Sequence, residues 1–292
     1  MPRMEIQLPN NWTLSAFSDE AGSSLDAQIE AAKRSNLLFV DLRSLDGFNI
    51  SVFPTERASE AKAKLDDAGL KVQMFGSPLG KIDIADDFDT DLQKLRHLGE
   101  LAPLFDCYAV RIFSYYNKHE AAKGEWEAIA LDRLIQLRDE ARALGLKLYH
   151  ENERHIFGDL GRDVAKLASL RDDNFATIFD FDNFNQSGED VWATWELLRD
   201  VTDSIHLKDS TTDNQHVPVG QGNGQVERIL RDAVTRGWSG SLSVEPHLTH
   251  SGAVAATGPS GTINEAYSSM SPADSFHIAV ETAQQLIARL NA

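Results

Sequence analysis

Leu148-Tyr149-His150-Glu151 is a short run that finishes in a carboxylate. Three more stretches have the same form: Thr177-Ile178-Phe179-Asp180, Ser204-Ile205-His206 and Leu242-Ser243-Val244-Glu245. Each ends in a carboxylate or imidazole able to ligate a metal. Roughly one strand-plus-helix unit separates each from the next. In a closed parallel barrel the C-terminal ends of successive strands meet at one rim. The spacing therefore predicts that Glu151, Asp180, His206 and Glu245 converge on one ion.

Working outward, the strand candidates are Thr13–Phe17, Leu38–Leu42, Lys71–Phe75, Tyr108–Phe113, Lys147–Glu151, Thr177–Asp180, Ser204–Leu207 and Ser241–Val244. Several approach the continuous apolar type of strands buried on both faces. Amphipathic stretches alternate with them. One opens at Ser24 with a capping hydroxyl and runs to Lys33. Another covers Trp126 to Leu144 and stops at Gly145. Val191 to Arg199, Gln225 to Arg236 and Phe276 to Leu290 close the series. Eight such alternations in this length predict an α/β fold, a single (β/α)8 TIM barrel over residues 1–292. An open doubly wound sheet is the runner-up, but the first strand is followed by Ser18-Asp19-Glu20-Ala21-Gly22 and lacks a dinucleotide fingerprint. Gly220-Gln221-Gly222-Asn223-Gly224 follows the seventh strand and reads as a turn before a helix. Residues 248–272 carry little periodicity and are expected to form a long loop at the active rim, serving as a lid or interaction loop or simply mobile.

The chain has 292 residues, is 42% hydrophobic and 25% charged, and carries a formal net charge of −17. So acidic a surface repels phosphate backbones and anionic lipid, which argues against nucleic acid and membrane as partners. The one cysteine, Cys107, allows no intrachain disulfide. The N-terminal residues show no apolar signal core, and no apolar run approaches the ~18–20 residues that span a bilayer. A soluble cytoplasmic protein is expected.

Alternation along strands places Ser204, His206 and Lys208 on one face of the seventh strand, and Ser243, Glu245 and His247 on one face of the eighth. Tyr149 and Glu151 point together. Asp180 and Asp182 share a face, so alternation does not choose between them; the end of the apolar run favours Asp180. Three carboxylates and one imidazole make a hard, oxygen-rich set, suited to Mn²⁺, Mg²⁺ or Co²⁺ rather than to a structural zinc site. Such an ion can grip a carbonyl and a neighbouring hydroxyl of a sugar, acidify the adjacent C–H and stabilise an enediolate. Glu151 and Glu245, across the arc from the fifth to the eighth strand, are the natural acid/base pair. Hydrolysis by an activated water is the other use of such a site. Lys81, Arg111, Glu153, His155, Lys208, His216 and His247 are candidate rim contacts. Trp12, Phe17, Phe75, Phe113 and Phe181 are core aromatics that could also wall a sugar face.

At these residues the chain resembles the sugar isomerase/epimerase superfamily, the xylose isomerase-like barrel group that includes D-tagatose 3-epimerase and endonuclease IV. The landmarks are Ser18-Asp19-Glu20, Asp41-Leu42-Arg43 with Asp46-Gly47, and Gly76-Ser77-Pro78-Leu79-Gly80-Lys81-Ile82-Asp83-Ile84. They continue through Arg111-Ile112-Phe113-Ser114, Glu151-Asn152, Phe179-Asp180-Phe181-Asp182-Asn183, His206-Leu207-Lys208-Asp209, Pro218-Val219-Gly220-Gln221-Gly222 and Glu245-Pro246. The resemblance implies a divalent metal, usually Mn²⁺, held by Glu151, Asp180, His206 and Glu245, with Glu151 and Glu245 as acid and base. It implies a small carbohydrate substrate and assembly as a homo-oligomer. Where the family often has histidine, this chain has Asn183 and Glu153, so the substrate contacts there differ. The leading expectation is a metal-dependent sugar isomerase or epimerase. The alternatives are a lyase or hydratase of 3-keto-glycosides using the same first step, an endonuclease IV-like phosphodiesterase, and a non-catalytic sugar-binding protein.

Overall fold

All eight expected strands are present, and they follow one another around a single parallel sheet. The computed structural model describes residues 8–249 and 264–290. In chain order the barrel strands are β1 (Thr13–Ala16), β2 (Phe39–Leu42), β3 (Lys71–Phe75), β4 (Ala109–Ile112), β5 (Lys147–Glu151), β6 (Phe175–Asp180), β7 (Ser204–Leu207) and β8 (Ser241–Val244). Each from β3 to β8 pairs with its predecessor, and β8 returns to pair with β1. Between β1 and β2 a single parallel bridge, Phe17 with Asp41, replaces a ladder. There the Ser15 hydroxyl donates to Asp41 Oδ2 at 2.6 Å, a side-chain link where backbone pairing is thin.

Helices separate the strands, as right-handed crossovers require. They include Leu25–Arg34, Thr55–Asp67, Asp89–Phe105, Lys123–Ala143, Val226–Thr235 and Pro272–Leu290. The Ser24 hydroxyl accepts from Ala27 N–H, the expected cap. Gly145, at φ +70°, ends the helix after β4 in a conformation that costs glycine little. Boundaries differ from the sequence reading by a few residues. β6 begins at Phe175, because Phe175 and Ala176 are buried and pair with Leu148 and Tyr149. The last helix begins at Pro272, a residue suited to a first helical turn.

Outward side chains such as Ile205, Leu207, Leu242 and Val244 join helix residues Phe276, Val280, Ala283 and Leu286 in one apolar layer. This packing turns the alternate residues inward. Cys107 lies in that layer, and burial pushes its thiol up to about 12, so it holds no reactive thiolate. Most of the expected 248–272 loop, residues 250–263, lies outside the described residues. Its later part carries a helical turn, Glu265–Ser268. Among the described residues no helix is long and apolar enough to cross a membrane.

Candidate metal centre

Glu151 closes β5, Asp180 closes β6, His206 lies in β7, and Glu245 follows β8 directly. The register sets Asp180 opposite His206. All four side chains are buried, and one ligand atom from each lies within 4.8 Å of the others. His206 Nδ1 is 2.8 Å from Glu151 Oε1. The same nitrogen lies 4.0 Å from Glu245 Oε2, so Nδ1 is the ring atom that faces the carboxylates. Asp180 Oδ1 accepts from Asn183 N–H at 2.8 Å and caps the helix Phe181–Gln186. Asn152 braces the same turn: its Oδ1 accepts from Asp180 N–H, and its Nδ2 donates to Asp180 O.

These bonds leave three buried atoms with no hydrogen-bond partner: His206 Nε2, Asp180 Oδ2 and Glu151 Oε2. Buried polar groups are seldom left so, and each calls for an explanation. A divalent cation fits. The donor set is three hard carboxylates and one imidazole, and Glu151 Oε2 and Asp180 Oδ2 face Arg111 and Lys208 without a hydrogen bond to either.

Three cations already press on this cluster. Arg111 Nη1 lies 3.1 Å from Glu151 Oε2 and 3.8 Å from Glu245 Oε1. Lys208 Nζ lies 3.2 Å from Asp180 Oδ2 and 3.5 Å from Glu245 Oε2. Arg43 Nη1 donates to Glu245 Oε1 at 2.8 Å. Burial opposes ionisation of Glu151, but His206 and Arg111 overcome it and hold its carboxyl at about 2. Glu245 is likewise held well below the ordinary value; Lys208, His247, Arg43 and Arg111 outweigh its burial. Asp180 goes the other way. Burial lifts it, and Glu151 and Glu245 add to that, against the pull of Lys208. A bound divalent cation would keep Asp180 ionised.

A small pocket opens above, lined by Lys81, Arg111, Phe113, Glu151, Glu153, Lys208, Glu245 and His247. Of the expected rim contacts, Lys81, Arg111, Glu153, Lys208 and His247 are therefore here. Lys81 Nζ pairs with Glu153 Oε2 at 3.0 Å and rides 4.3 Å above the Phe113 ring. Asn183 is engaged in the protein: its Nδ2 donates to Asn152 O, and its Oδ1 accepts from Lys208. His216 is buried behind this cavity, 3.2 Å from Asp182 Oδ2 and with its ring 5.3 Å from that of His247. His155 is exposed, and its backbone N–H donates to Asp159 Oδ2 at 3.0 Å. Phe17 lies at the site, under Arg43 and Arg111 and edge-on to His206. Trp12, Phe75 and Phe181 pack against Trp238, Phe105 and Phe179 respectively, as core.

The sequence reading left Asp19, Glu20 and Arg43 out of the site. Arg43 grips Asp19 through two nitrogens at 2.9 Å each, reaches Glu20 at 3.2 Å, and ends on Glu245. His247 lies 3.2 Å from Glu20. All are charged residues just past the first, second and eighth strands, so the strand-end argument used for β5 to β8 would have found them. The Gly220–Gly224 turn also has a definite job. Backbone N–H groups of Gly220, Gly222 and Gly224 each donate to the Asp209 carboxylate at 2.9 Å. The glycines enclose an internal anion, and a Cβ on Gly222 would sit 2.4 Å from Asp209 Oδ1.

The sequence matches a family model described as xylose isomerase-like TIM barrel over residues 29–266. No curated protein sequence matches the chain. Several solved structures share the architecture. The IOLI protein with a bound zinc atom is 15% identical, with a TM-score of 0.75 over 95% of this chain and 98% of that one. A xylose isomerase-like TIM barrel protein from Mycobacterium smegmatis in complex with magnesium is 15% identical, with a TM-score of 0.69 over 98% of both chains. The 3-keto-D-glucoside 4-epimerase YcjR from E. coli is 13% identical, with a TM-score of 0.65 over 94% of this chain and 98% of that one. At these identities the likeness carries the fold. With the family match covering most of its length, the chain belongs to the xylose isomerase-like TIM-barrel family.

Proposed function

We propose that the protein is a divalent-metal-dependent isomerase or epimerase of a sugar or sugar derivative. The reading rests on one observation above the rest. Glu151, Asp180, His206 and Glu245 bring four ligand atoms within 4.8 Å of one another, and three of these residues hold buried atoms with no hydrogen-bond partner. Those four residues would hold the ion, with Mn²⁺ the expected metal. When bound, it would polarise the substrate carbonyl and make the adjacent C–H more acidic.

The chain's own groups supply the rest. Glu151 and Glu245 come from opposite ends of the β5–β8 arc and line the same cavity. One carboxylate takes the proton from the carbon beside the carbonyl, and the electron pair moves onto the carbonyl oxygen to give an enediolate. The other, ionised at rest like its partner, first takes a proton from solvent and then delivers it to the opposite face, which inverts that centre. The two carboxyls have then exchanged protonation states, and solvent resets them. Arg111 lies between them, so protonating one leaves its guanidinium to compensate the other. Lys208 and Lys81 stand at the cavity wall to orient hydroxyls.

The test is solvent deuterium uptake. Mn²⁺-loaded protein in D₂O, with ketoses and 3-keto-glycosides, should put deuterium beside a carbonyl, and EDTA-treated protein should not. Epimer peaks in the proton NMR spectrum would separate this reaction from elimination, which releases an aglycone. No exchange with any of these substrates, in protein shown to hold metal, would refute enolisation.

A further inference from the structure

We infer that the substrate of this site is an uncharged sugar rather than a phosphorylated one; the inference rests on the enolising reading above. Each basic side chain lining the cavity already faces a carboxylate. Lys81 pairs with Glu153, Arg111 with Glu151, Lys208 with Asp180 and Glu245, and His247 with Glu20. Arg43, behind Glu245, is shared among Asp19, Glu20 and Glu245.

The same groups give the charge balance. Arg43, Lys81, Arg111 and Lys208 face Asp19, Glu20, Glu151, Glu153, Asp180 and Glu245. With histidines neutral, four positive charges meet six negative ones, and the two in excess are what one divalent ion neutralises. A phosphate ester would bring nearly two further negative charges into a buried site whose cations, among the described residues, are all matched to carboxylates. Uncompensated charge of one sign at a desolvated contact is strongly disfavoured. Residues 250–263, outside the described part, contain no lysine or arginine that could supply a counter-charge. The main-chain N–H cradle of Gly220 to Gly224, of the kind that binds phosphate, is filled by Asp209. Neutral hydroxyls fare differently. They can accept from Lys81, Arg111 and Lys208 and donate to Glu153 and Glu151 without upsetting any ion pair. The Phe113 ring adds an apolar wall beside them.

The experiment titrates Mn²⁺-loaded protein with ketopentoses and ketohexoses and with their terminal phosphate esters. The Mn²⁺ paramagnetic resonance spectrum reads binding, and deuterium uptake from D₂O reads enolisation. At least one free ketose should perturb the spectrum and saturate. Its phosphate ester should bind more weakly by about tenfold or more. Glu153→Gln should narrow that ratio, because it removes the carboxylate that lies 3.0 Å from Lys81 and one negative charge from the cavity wall. A phosphate ester that binds more tightly than its free ketose would overturn the inference, as would binding of neither to protein that holds Mn²⁺. A free ketose that binds preferentially yet takes up no deuterium would leave the charge argument standing and remove the enolising reading instead.

Discussion

A guanidinium nitrogen of Arg43, just past β2, lies 2.8 Å from Oε1 of Glu245, just past β8. The contact spans the barrel mouth beside β1, where only one backbone bridge joins β1 to β2. It fixes one oxygen of Glu245 and turns the other towards Lys208 and the proposed metal position. All the partners are buried, so the cluster is a desolvated network with each charge dependent on the next.

Arg43→Ala would strand Asp19, Glu20 and Glu245 without their shared cation. Breaking a buried pair in this way costs about 3–5 kcal/mol. Arg43→Lys restores the charge but not the planar fork that meets Asp19 through two nitrogens, so it should recover part of the loss. Urea unfolding midpoints for the three proteins check this; an alanine variant as stable as the parent would mean the network contributes nothing net.

His206→Ala and Asp180→Asn should each abolish tight Mn²⁺ binding. The expected loss exceeds the about 10–100-fold that follows removal of an outer partner of a ligand. Glu151→Gln and Glu245→Gln should also lower turnover, by at least the about 100- to 10,000-fold that acid/base groups supply. Metal titrations and deuterium uptake on the same samples separate the two effects.

Lys208→Met should move binding and turnover in opposite directions. Its ammonium sits beside Asp180 Oδ2 and Glu245 Oε2, where it competes with a metal for the same oxygens. Removing one positive charge at this range should tighten Mn²⁺ binding by about tenfold. Turnover should fall, because a group at the cavity wall is lost. Weaker Mn²⁺ binding would show instead that Lys208 holds the ligands in place.

Asp209 predicts a pH effect remote from the ion. Burial lifts its carboxyl to about 6, although three glycine N–H groups favour the ionised form. The folded chain thus binds this proton more tightly than the unfolded chain, whose aspartate titrates near 3.8. Its contribution to stability is full below that value and is lost as pH rises through about 6, by on the order of 3 kcal/mol. Asp209→Asn has no such proton, so the difference in unfolding free energy between parent and variant should shrink from acid towards neutral pH. A difference that stays flat between pH 4 and pH 7 would contradict this.

Much of the architecture was legible in the sequence because parallel strands buried on both faces read as short apolar runs, and helices between them as longer amphipathic ones. The seventh and eighth strands were bounded to the residue, since Ile205, Leu207, Leu242 and Val244 leave little choice about which face meets the helices. The choice between Asp180 and Asp182 was not legible. The chain leaves β6 at Asp180 and enters a helix at Phe181, so the side-chain period changes from 2 to 3.6 between the two. Asp182 is thereby carried to Ser210 and His216, away from the cluster. Asn183, singled out only by the family resemblance, is drawn inward by Asn152 and Lys208.

By itself, then, the order of apolar runs and their terminal charges determined the barrel and the four residues that meet at its rim. That pattern depends only on local periodicity and on how often the strands recur. The pairings of Arg43 with Glu245, Arg111 with Glu151 and Lys208 with Asp180 were decided by the tertiary structure alone. They join side chains from different strands, and the distances between those strands exist only once the sheet has closed on itself.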